Sequence, residues 1–239
     1  TDESGHRAVV AGSMGPTGEL FVPMGELTFE QAVACFKDQA VALAEGGAQV
    51  LWIETMSANE EVAAAAEAAK STGLPVVGCL TFDTARRSMM GVTPAEFAAF
   101  AVEIGLDAVG SNCGIGPAEL MDSTTQLLEA NCGLPIAAKG NCGIPQYVDG
   151  AIHFHGSPEL MADYALFARD SGATIIGGCC GTTPEHLAAM ATALNTTAPR
   201  PFDAAVMTEV LGAPWPDLSE RGASEGGRRS RRRSAARAD

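Results

Sequence analysis

The feature of this sequence that most constrains its fold is a pattern that occurs six times: a short apolar run, a turn containing Gly, Asn or Ser, and an amphipathic helix. The apolar runs begin about 25 to 42 residues apart, which leaves room for one helix between successive strands. Strands that alternate with helices predict a parallel sheet whose outer face is covered by those helices. The chain is therefore expected to be an α/β protein with about six βα units.

Each unit can be placed along the chain. We predict six strands, at Ala8–Ala11, Val50–Ile53, Pro75–Leu80, Asp107–Gly110, Pro135–Ala138 and Thr174–Gly177. We predict helices after them, most clearly at Thr28–Glu45, Ala58–Ser71, Pro94–Ile104, Pro117–Ala130, Pro158–Ser171 and Pro184–Leu194, and a short closing helix at Phe202–Leu211. In such a sheet the functional residues belong in the turns that follow the strands, at their carboxyl ends.

Length and composition agree with one domain of this kind. The 239 residues are near the size of one α/β barrel, and 46% of them are apolar, enough to bury a full core. The formal charge is −14, but residues 221–239 contain seven arginines against two acidic residues, so residues 1–220 carry −19. A segment with this negative charge is a poor ligand for nucleic acid or for an anionic membrane, so neither is expected as a partner. We expect a barrel domain over residues 1–212 and a disordered, Arg-rich tail over residues 213–239.

The apolar runs and the cysteines together indicate a compartment. No apolar run approaches the roughly 18 residues that span a bilayer, and the N-terminal residues have no signal-peptide pattern. The chain has seven cysteines, an odd number, at irregular spacing, which favours reduced thiols over a disulfide framework. A cytoplasmic location is therefore expected.

The turn after the sixth apolar run carries two adjacent cysteines. Ile175-Ile176 is β-branched and apolar, as a strand buried on both faces requires. Glycines on both sides of Cys179-Cys180 allow a sharp backbone turn that brings both sulfurs to one point. Thr183 as the N-cap and Pro184 at the first helical position then start a helix. The cysteine pair is thus predicted between the end of a buried strand and the start of a helix.

A third cysteine is expected at the same rim of the sheet. Cys113 follows the fourth apolar run, two βα units before Cys179 and Cys180. Three converging thiolates with no obvious fourth ligand match a zinc site that keeps one coordination position open, and soft thiolates suit that metal. Two other interpretations stay open for these residues: small buried hydrophobic side chains, or a vicinal disulfide or redox pair at Cys179 and Cys180.

Other polar residues stand out near strand ends. Glu54 directly follows Leu51-Trp52-Ile53, where an unpaired charge is costly. It is therefore expected to cap a helix, to form a salt bridge, or to bind a substrate ammonium group. His153 and His155 alternate as on an extended loop, which fits either solvated loop residues or a metal-binding pair. Cys142 follows the fifth strand and is expected near the same rim.

Five segments of the chain carry motifs that occur together in one family. They are Val10–Gly18, Trp52–Thr55, Ser111–Gly114, Lys139–Pro145 and Gly177–Thr182. On these motifs the chain resembles the homocysteine S-methyltransferase family, from about residue 9 to residue 194. Within that family the pattern looks closest to bacterial betaine–homocysteine methyltransferases, and the homocysteine module of cobalamin-dependent methionine synthase is the near neighbour.

The resemblance implies a (β/α)8 TIM barrel that binds Zn²⁺ through Cys113, Cys179 and Cys180. The homocysteine thiol would take the open coordination position as a thiolate, because zinc lowers the pKa of a coordinated thiol. Attack on a methyl group of a small donor, such as betaine, would then produce methionine. The resemblance therefore implies a zinc-dependent methyltransferase of methionine biosynthesis.

The resemblance also implies the contacts to the substrates. Glu54 would hold the ammonium group of homocysteine, and Asn112 and Asn141 would line the site as rim residues. The methyl donor stays open between betaine, a sulfonium compound such as S-methylmethionine, and methylfolate or methylcobalamin. Assembly into a homo-oligomer stays open as well.

The resemblance is incomplete at the N-terminal end. Family members begin with a strand that leads into an Asp-Gly-Ala-x-Gly-Thr-like turn and continue with a second strand, whereas the first strand here matches the family's third. We therefore expect an N-terminally truncated, incomplete barrel whose sheet has two open edges. Two functions follow: a zinc-dependent homocysteine methyltransferase, or an inactive fragment or partner-completed binding module of the same fold.

Overall fold

The computed structural model of the chain describes residues 8–215. Within them, β-strands lie at Ala11–Met14 (β1), Val50–Met56 (β2), Val76–Leu80 (β3), Ala108–Cys113 (β4), Ile136–Gly140 (β5), Gln146–Val148 (β6), Ala151–His153 (β7) and Ile175–Gly178 (β8). Helices lie at Phe29–Glu45 (α1), Asn59–Lys70 (α2), Pro94–Glu103 (α3), Pro117–Glu129 (α4), Pro158–Ser171 (α5), Pro184–Thr196 (α6) and Ala204–Leu211 (α7). All predicted helices are confirmed, each within two residues of its expected bounds.

Six of the strands form one parallel sheet. Their order is β1-β2-β3-β4-β5-β8, and every neighbouring pair is parallel. Helices connect consecutive parallel strands, as βα units of this length require. This is the sheet of an incomplete (β/α)8 barrel, which confirms the expected fold class. The remaining strands, β6 and β7, pair in an antiparallel hairpin between β5 and α5 that the sequence pattern did not predict.

The first strand lies elsewhere than expected. The prediction of a strand at Ala8–Ala11 is wrong, because β1 begins only at Ala11 and continues through the glycine-containing segment after it. The reason is tertiary packing: a Cβ on Gly12 would lie 3.1 Å from side-chain atoms of Leu43 and Ala48. Glycine therefore allows β1 to lie against α1, and the small residues rather than the apolar run enter the sheet.

Three strands extend further at their carboxyl ends than predicted. Glu54, Asn112 and Lys139 belong to β2, β4 and β5 rather than to the turns that follow them. Parallel pairing continues through these polar residues, with Asn112 opposite Lys139 and Cys113 opposite Gly140. The pleat of the sheet thus fixes the directions of these side chains.

The two faces of the sheet pack against different surroundings. The outer face meets the helices through aliphatic side chains that are almost fully buried: Leu51, Ile53, Val76, Val109 and Ile136. The concave face carries a smaller apolar cluster: Trp52, Val77, Cys79, Ala108 and Ala137. Because side chains alternate along a strand, Glu54, Asn112 and Lys139 follow on the concave face, towards the carboxyl ends of their strands.

Local sequence chemistry starts the helices where expected. Thr28 and Thr93 each form a capping box, with Gln31 and Glu96 respectively at the third helical position. Thr183 is the N-cap of α6, as predicted. These caps satisfy backbone N–H groups that have no partner within the helix. The helix starts are therefore set by short-range interactions.

The end of the described chain packs onto α4. Trp215 is buried, and its indole N–H donates to the Asp122 carboxylate at 2.9 Å. The rest of the predicted Arg-rich tail, residues 216–239, lies outside the described residues. Among the helices of residues 8–215, none combines the length and the apolar character that crossing a bilayer requires. The tail and the cytoplasmic location stay predictions.

Candidate metal centre

Three cysteine sulfurs meet at the carboxyl edge of the sheet. Cys113 ends β4, Cys179 and Cys180 directly follow β8, and β5 lies between these two strands. The three Sγ atoms all lie within 4.8 Å of one another, and those of Cys113 and Cys180 are 3.8 Å apart. Within residues 8–215 no other group of three or more His, Cys, Asp or Glu side chains converges in this way.

The backbone around the cysteines turns tightly, with positive φ angles and close contacts at glycines. Cys113 has a φ of 61°, in the left-handed region that non-glycine residues seldom occupy. Gly181, directly after the cysteine pair, has a φ of 77°, and a Cβ there would overlap the ring of Phe154. A side chain on Gly178 would likewise overlap Thr182. The φ of Cys113 is unfavourable for a non-glycine residue, and residues of this kind cluster at functional sites.

Backbone hydrogen bonds continue the sheet into the cysteine loop. The N–H of Cys179 donates to the carbonyl of Gly140 at 2.7 Å. The N–H of Cys142 donates in turn to the carbonyl of Cys180 at 2.9 Å. The loop after β8 is therefore attached to the loop after β5 at two points.

Asn141 joins the two loops that carry the cysteines. Its Nδ2 donates to the carbonyl of Gly114 at 2.8 Å, and its Oδ1 accepts from the backbone N–H of Cys180 at 3.1 Å. The side chain is 1% exposed. One carboxamide thus connects the turn after Cys113 to Cys180.

Asn112 performs a similar role one strand away. Its Oδ1 accepts from the N–H of Thr55, and its Nδ2 donates to the Thr55 hydroxyl, both at 2.8 Å. The same Nδ2 lies 3.8 Å from Sγ of Cys179. The Thr81 hydroxyl donates to the carbonyl of Asn112. The carboxamides of Asn112 and Asn141 are thus both buried and both hydrogen-bonded inside the protein.

The three sulfurs fit a tetrahedral metal ion. Tetrahedral zinc with Zn–S bonds near 2.3 Å places its sulfur ligands about 3.8 Å apart. The Cys113–Cys180 separation has this value, and Cys179 lies within 4.8 Å of both. Cys180 is exposed, whereas Cys113 and Cys179 are half-buried, so one side of the group faces solvent. The donor set therefore suits a thiophilic metal with room for one more ligand.

Because the three thiols lie close together, they have different pKa values. A hydrogen bond from Cys113, assisted by the Asn112 amide, lowers the pKa of Cys179 to about 5. That hydrogen bond, burial and the negative charge on Cys179 raise the pKa of Cys113. Burial and the charge of Cys179 raise the pKa of Cys180. The metal-free cluster thus holds its first thiolate on Cys179.

A buried Cys–His contact supports the base of the cysteine loop. Sγ of Cys142 lies 3.0 Å from Nε2 of His186 and 3.0 Å from the carbonyl oxygen of Gly156. Nδ1 of His186 accepts from the backbone N–H of Thr183, so in the neutral ring the proton is on Nε2, which donates towards Gly156. Cys142 therefore lies near the rim, as expected, but its thiol contacts His186 and Gly156 and does not belong to the three-cysteine group.

Glu54 forms an ion pair on the concave face. Its Oε2 lies 2.5 Å from Nζ of Lys139, and its Oε1 accepts from the Ser13 hydroxyl at 2.6 Å. The Lys139 ammonium also lies 5.0 Å from the ring centroid of Trp52. These four residues and Ala11 line a cavity of about 240 Å³. Of the three roles open to Glu54, the structure shows the salt bridge.

A second, larger cavity has a volume of about 350 Å³. Thr55 and Thr81 form part of its wall, and both hydrogen-bond to Asn112, whose amide contacts Cys179. The rest of the lining combines methionines, carboxylates and small residues: Pro16, Gly18, Glu19, Leu20, Met56, Ser57, Glu61, Asp83, Met89 and Met90. No Lys, Arg or His is among the described lining residues, so the cavity is acidic and partly apolar.

The two histidines of the hairpin region do not join the cysteines. His153 ends β7, so it lies in a strand rather than in a loop, and its ring stacks on His155 with centroids 6.2 Å apart. Neither belongs to the three-residue group that converges within residues 8–215. Both side chains contact solvent. This arrangement agrees with solvated histidines.

Sequence reasoning missed Lys139 and Ser13 as neighbours of Glu54. A signal for Lys139 was present, because this charge directly follows a buried apolar run, as Glu54 does. Ser13 carried no such signal, since its strand was predicted three residues too early. The contact between Cys142 and His186 was equally hidden, because 44 residues separate them.

The fold and the site together define a class: a parallel α/β-barrel protein with a three-cysteine centre at the carboxyl edge of its sheet. The homocysteine S-methyltransferase family model matches residues 1–194. The chain belongs to this family.

Relatives and solved structures agree with that assignment. The chain is 28% identical to methionine synthase of Mycobacterium leprae (strain TN) over 206 residues, which cover 82% of this chain and 17% of the relative. It is similar in structure to the apo form of the homocysteine methyltransferase MmuM from Escherichia coli, with a TM-score of 0.61 and 26% identity, covering 80% of this chain and 65% of that one. The chain thus spans about a sixth of the methionine synthase and under two thirds of the MmuM chain.

Proposed function

We propose that this chain is a zinc-dependent methyltransferase that transfers a methyl group from betaine or a related donor to the thiol of homocysteine, giving methionine. The observation that carries this proposal is the convergence of the Cys113, Cys179 and Cys180 sulfurs within 4.8 Å at the carboxyl edge of the sheet. Membership of the homocysteine S-methyltransferase family supports the same reaction. The homocysteine-binding unit is proposed to span residues 1–212, followed by an Arg-rich tail over 213–239.

Zinc would be held by Cys113, Cys179 and Cys180. When bound, it lowers the pKa of a coordinated thiol and so keeps the nucleophile ionised at neutral pH without a general base. The chain's own contribution is to hold three thiolates in position: Asn141 anchors Cys180, and Asn112 contacts Cys179. Hydrogen bonds from residues around a metal site orient its ligands.

Homocysteine is proposed to lie on the concave face, between the cysteines and Glu54. The Glu54 carboxylate is available at this face, with 18% of its side chain exposed, and would accept from the substrate ammonium group. Asn112 and Asn141 would line the site as rim residues. Their carboxamides are engaged with Thr55 and with Cys180, so their part is to shape the pocket wall.

The methyl donor is proposed to occupy the 350 Å³ cavity, whose wall residues Thr55 and Thr81 hydrogen-bond to Asn112, the neighbour of Cys179. Glu19, Glu61 and Asp83 surround it with negative charge, which favours a cationic donor and disfavours a polyanion. Glu61 is held in place by the backbone N–H and the hydroxyl of Thr17, at 2.8 and 2.7 Å. A small quaternary ammonium or sulfonium compound fits this charge, and methylfolate does not.

Transfer is then an in-line displacement. A bond forms between the homocysteine sulfur and the methyl carbon while the bond from that carbon to the positively charged nitrogen or sulfur breaks. The electron pair of the broken bond stays on the leaving atom, which becomes neutral, and the thiol proton is lost to solvent. Contact between the two reactants supplies most of the rate acceleration.

The first test measures zinc per chain and methionine formation together. Full-length protein purified under reducing conditions should contain one zinc, which Cys113→Ser and Cys180→Ser should lose and Cys35→Ser, at an exposed helix position, should keep. Methionine should form with betaine or S-methylmethionine and not with methylfolate. A folded, zinc-free wild-type chain under these conditions would refute the proposal.

A second candidate function is a binding module completed by a partner. It is favoured by one observation: within residues 8–215, β1 and β8 each have a sheet neighbour on one side only. On this alternative the chain binds zinc and homocysteine but forms no methionine alone. Turnover would begin only after addition of a polypeptide that supplies two further βα units, which separates this alternative from an active enzyme.

A further inference from the structure

We infer that Lys139 is the anchor for the carboxylate of homocysteine, so that the Glu54–Lys139 pair is a receptor for the amino-acid zwitterion. The inference rests on the proposed function and adds a specificity-determining residue to it. It follows from the position of this ion pair, which lies inside the concave face rather than on the protein surface.

The pair spans the concave face of the sheet. Glu54 is in β2 and Lys139 is in β5, so β3 and β4 lie between their strands in the sheet. Nevertheless, Nζ of Lys139 lies 2.5 Å from Oε2 of Glu54. The Lys139 ammonium lies over the ring of Trp52, and the Ser13 hydroxyl donates to the other Glu54 oxygen. Both charges are therefore held in fixed positions by neighbours on three strands.

The pair also borders open space. The adjoining cavity of about 240 Å³ has Ser13, Trp52, Glu54 and Lys139 in its wall. The side chains of Lys139 and Glu54 remain 23% and 18% exposed. A ligand in this cavity can thus reach both charged groups without unfolding the sheet.

The same face leads to the cysteines. Lys139 pairs with Gly177 across the β5–β8 ladder, and the backbone N–H of Cys179, two residues further along, donates to the carbonyl of Gly140, the residue after Lys139. The cavity wall at Lys139 is therefore close along the sheet to the start of the cysteine loop, as the short side chain of homocysteine requires.

Electrostatics favours a zwitterion over a singly charged ligand. In the free protein each charge compensates the other, which limits the cost of holding both away from bulk water. An amino acid brings one ammonium and one carboxylate, so insertion replaces one ion pair by two and leaves the net charge of the pocket unchanged. A thiol with only one of these groups leaves either Glu54 or Lys139 without its counter-ion.

The test compares three thiols on the zinc-loaded, full-length chain by calorimetry. They are L-homocysteine, 4-sulfanylbutanoic acid, which lacks the ammonium group, and 3-sulfanylpropan-1-amine, which lacks the carboxylate. The variants are Lys139→Met and Glu54→Gln, with Lys37→Met on the exposed side of α1 as the matched control. Zinc content is measured in every sample.

Lys139→Met should weaken homocysteine and 4-sulfanylbutanoic acid by about tenfold or more, the size of one lost charge-assisted hydrogen bond, and should not weaken the amine thiol, which then no longer competes with the lysine for Glu54. Glu54→Gln should weaken homocysteine and the amine thiol and should not weaken 4-sulfanylbutanoic acid. Lys37→Met should leave the affinity for all three thiols unchanged. An equal loss of affinity for all three thiols, or an unchanged homocysteine affinity in Lys139→Met, would overturn the inference. In that case the proposed function still stands if the wild type binds zinc and homocysteine. A wild type without zinc, or one that binds none of the thiols, would overturn both.

Discussion

The backbone N–H of Cys180 donates to the side-chain oxygen of Asn141, whose amide nitrogen donates in turn to the carbonyl that follows Cys113 at Gly114. One buried side chain therefore sets the distance between two cysteines that are 67 residues apart in sequence. The geometry of the thiol centre depends on this connection as much as on the cysteines themselves.

Replacing Asn141 by Ala should weaken metal binding without changing its stoichiometry. The change leaves the Cys180 N–H and the Gly114 carbonyl without their side-chain partner, which costs about 1–3 kcal/mol of folding free energy. Zinc affinity should fall about 10–100-fold, as for other residues that orient metal ligands. Competition with a chromophoric chelator measures it.

Asn195→Ala is the matched control for Asn141→Ala, because Asn195 is exposed on α6. Its zinc affinity should equal that of the wild type. An Asn141→Ala protein with wild-type affinity would show that Cys180 holds its position without the carboxamide.

In the metal-free chain, Cys179 should be the first thiol of the cluster to react. Its pKa of about 5, against an ordinary value of 9.0, keeps it ionised at pH 6, whereas Cys113 and Cys180 stay protonated there. The thiolate persists above the lowered pKa and is lost as the pH falls through it. Iodoacetamide labelling at pH 4 to 8, followed by peptide mass spectrometry, should therefore show modification of Cys179 rising near pH 5. Modification that begins at Cys113, or only near pH 8, would contradict this prediction.

Gly181→Ala should disturb the cysteine loop for two separable reasons. A φ of 77° disfavours any side chain by about 1–2 kcal/mol, and the new methyl group would overlap the Phe154 ring, at a further cost of about 1–3 kcal/mol. Gly133→Ala isolates the first term, since Gly133 has a φ of 79° and open space around its Cα. Urea unfolding should show a larger loss for Gly181→Ala, together with weaker zinc binding. Equal losses would mean that Phe154 moves aside freely.

Removal of zinc should lower the thermal stability of the whole described unit. A metal present at about 100 times its Kd stabilises the folded state by about 2.7 kcal/mol, which corresponds to about 5–10 °C in Tm for a chain of this size. Calorimetric scans with and without EDTA, under reducing conditions, measure the difference. Cys113→Ser should show no response to zinc or EDTA, and Cys35→Ser should behave as the wild type. A wild-type Tm that ignores EDTA would contradict the prediction.

Much of the fold was accessible from the sequence because its signals are local. Pro184 at the first helical position and Thr28 or Thr93 before a helix act within one turn, so the helix bounds were predicted within two residues. The strand at Ala8–Ala11 was misplaced because the fit of Gly12 against Leu43 is a long-range contact that no local pattern records.

The candidate site, like the fold, was predictable only in part from the sequence. Cys113 and the Cys179–Cys180 pair were predicted to converge because parallel strands bring their carboxyl ends to one edge, a consequence of topology alone. The side-chain contacts around the site were not predicted, because those of Asn141 with Cys180, Lys139 with Glu54 and His186 with Cys142 depend on side-chain directions.

The sequence by itself therefore determined the βα repeat, the helix bounds and the three cysteines, since periodicity and capping act over a few residues. Only the tertiary structure decided that Glu54 meets Lys139 and that Asn141 connects Gly114 to Cys180. The physical reason is that such contacts join residues tens of positions apart. Their geometry exists only after the sheet has brought the strands into register.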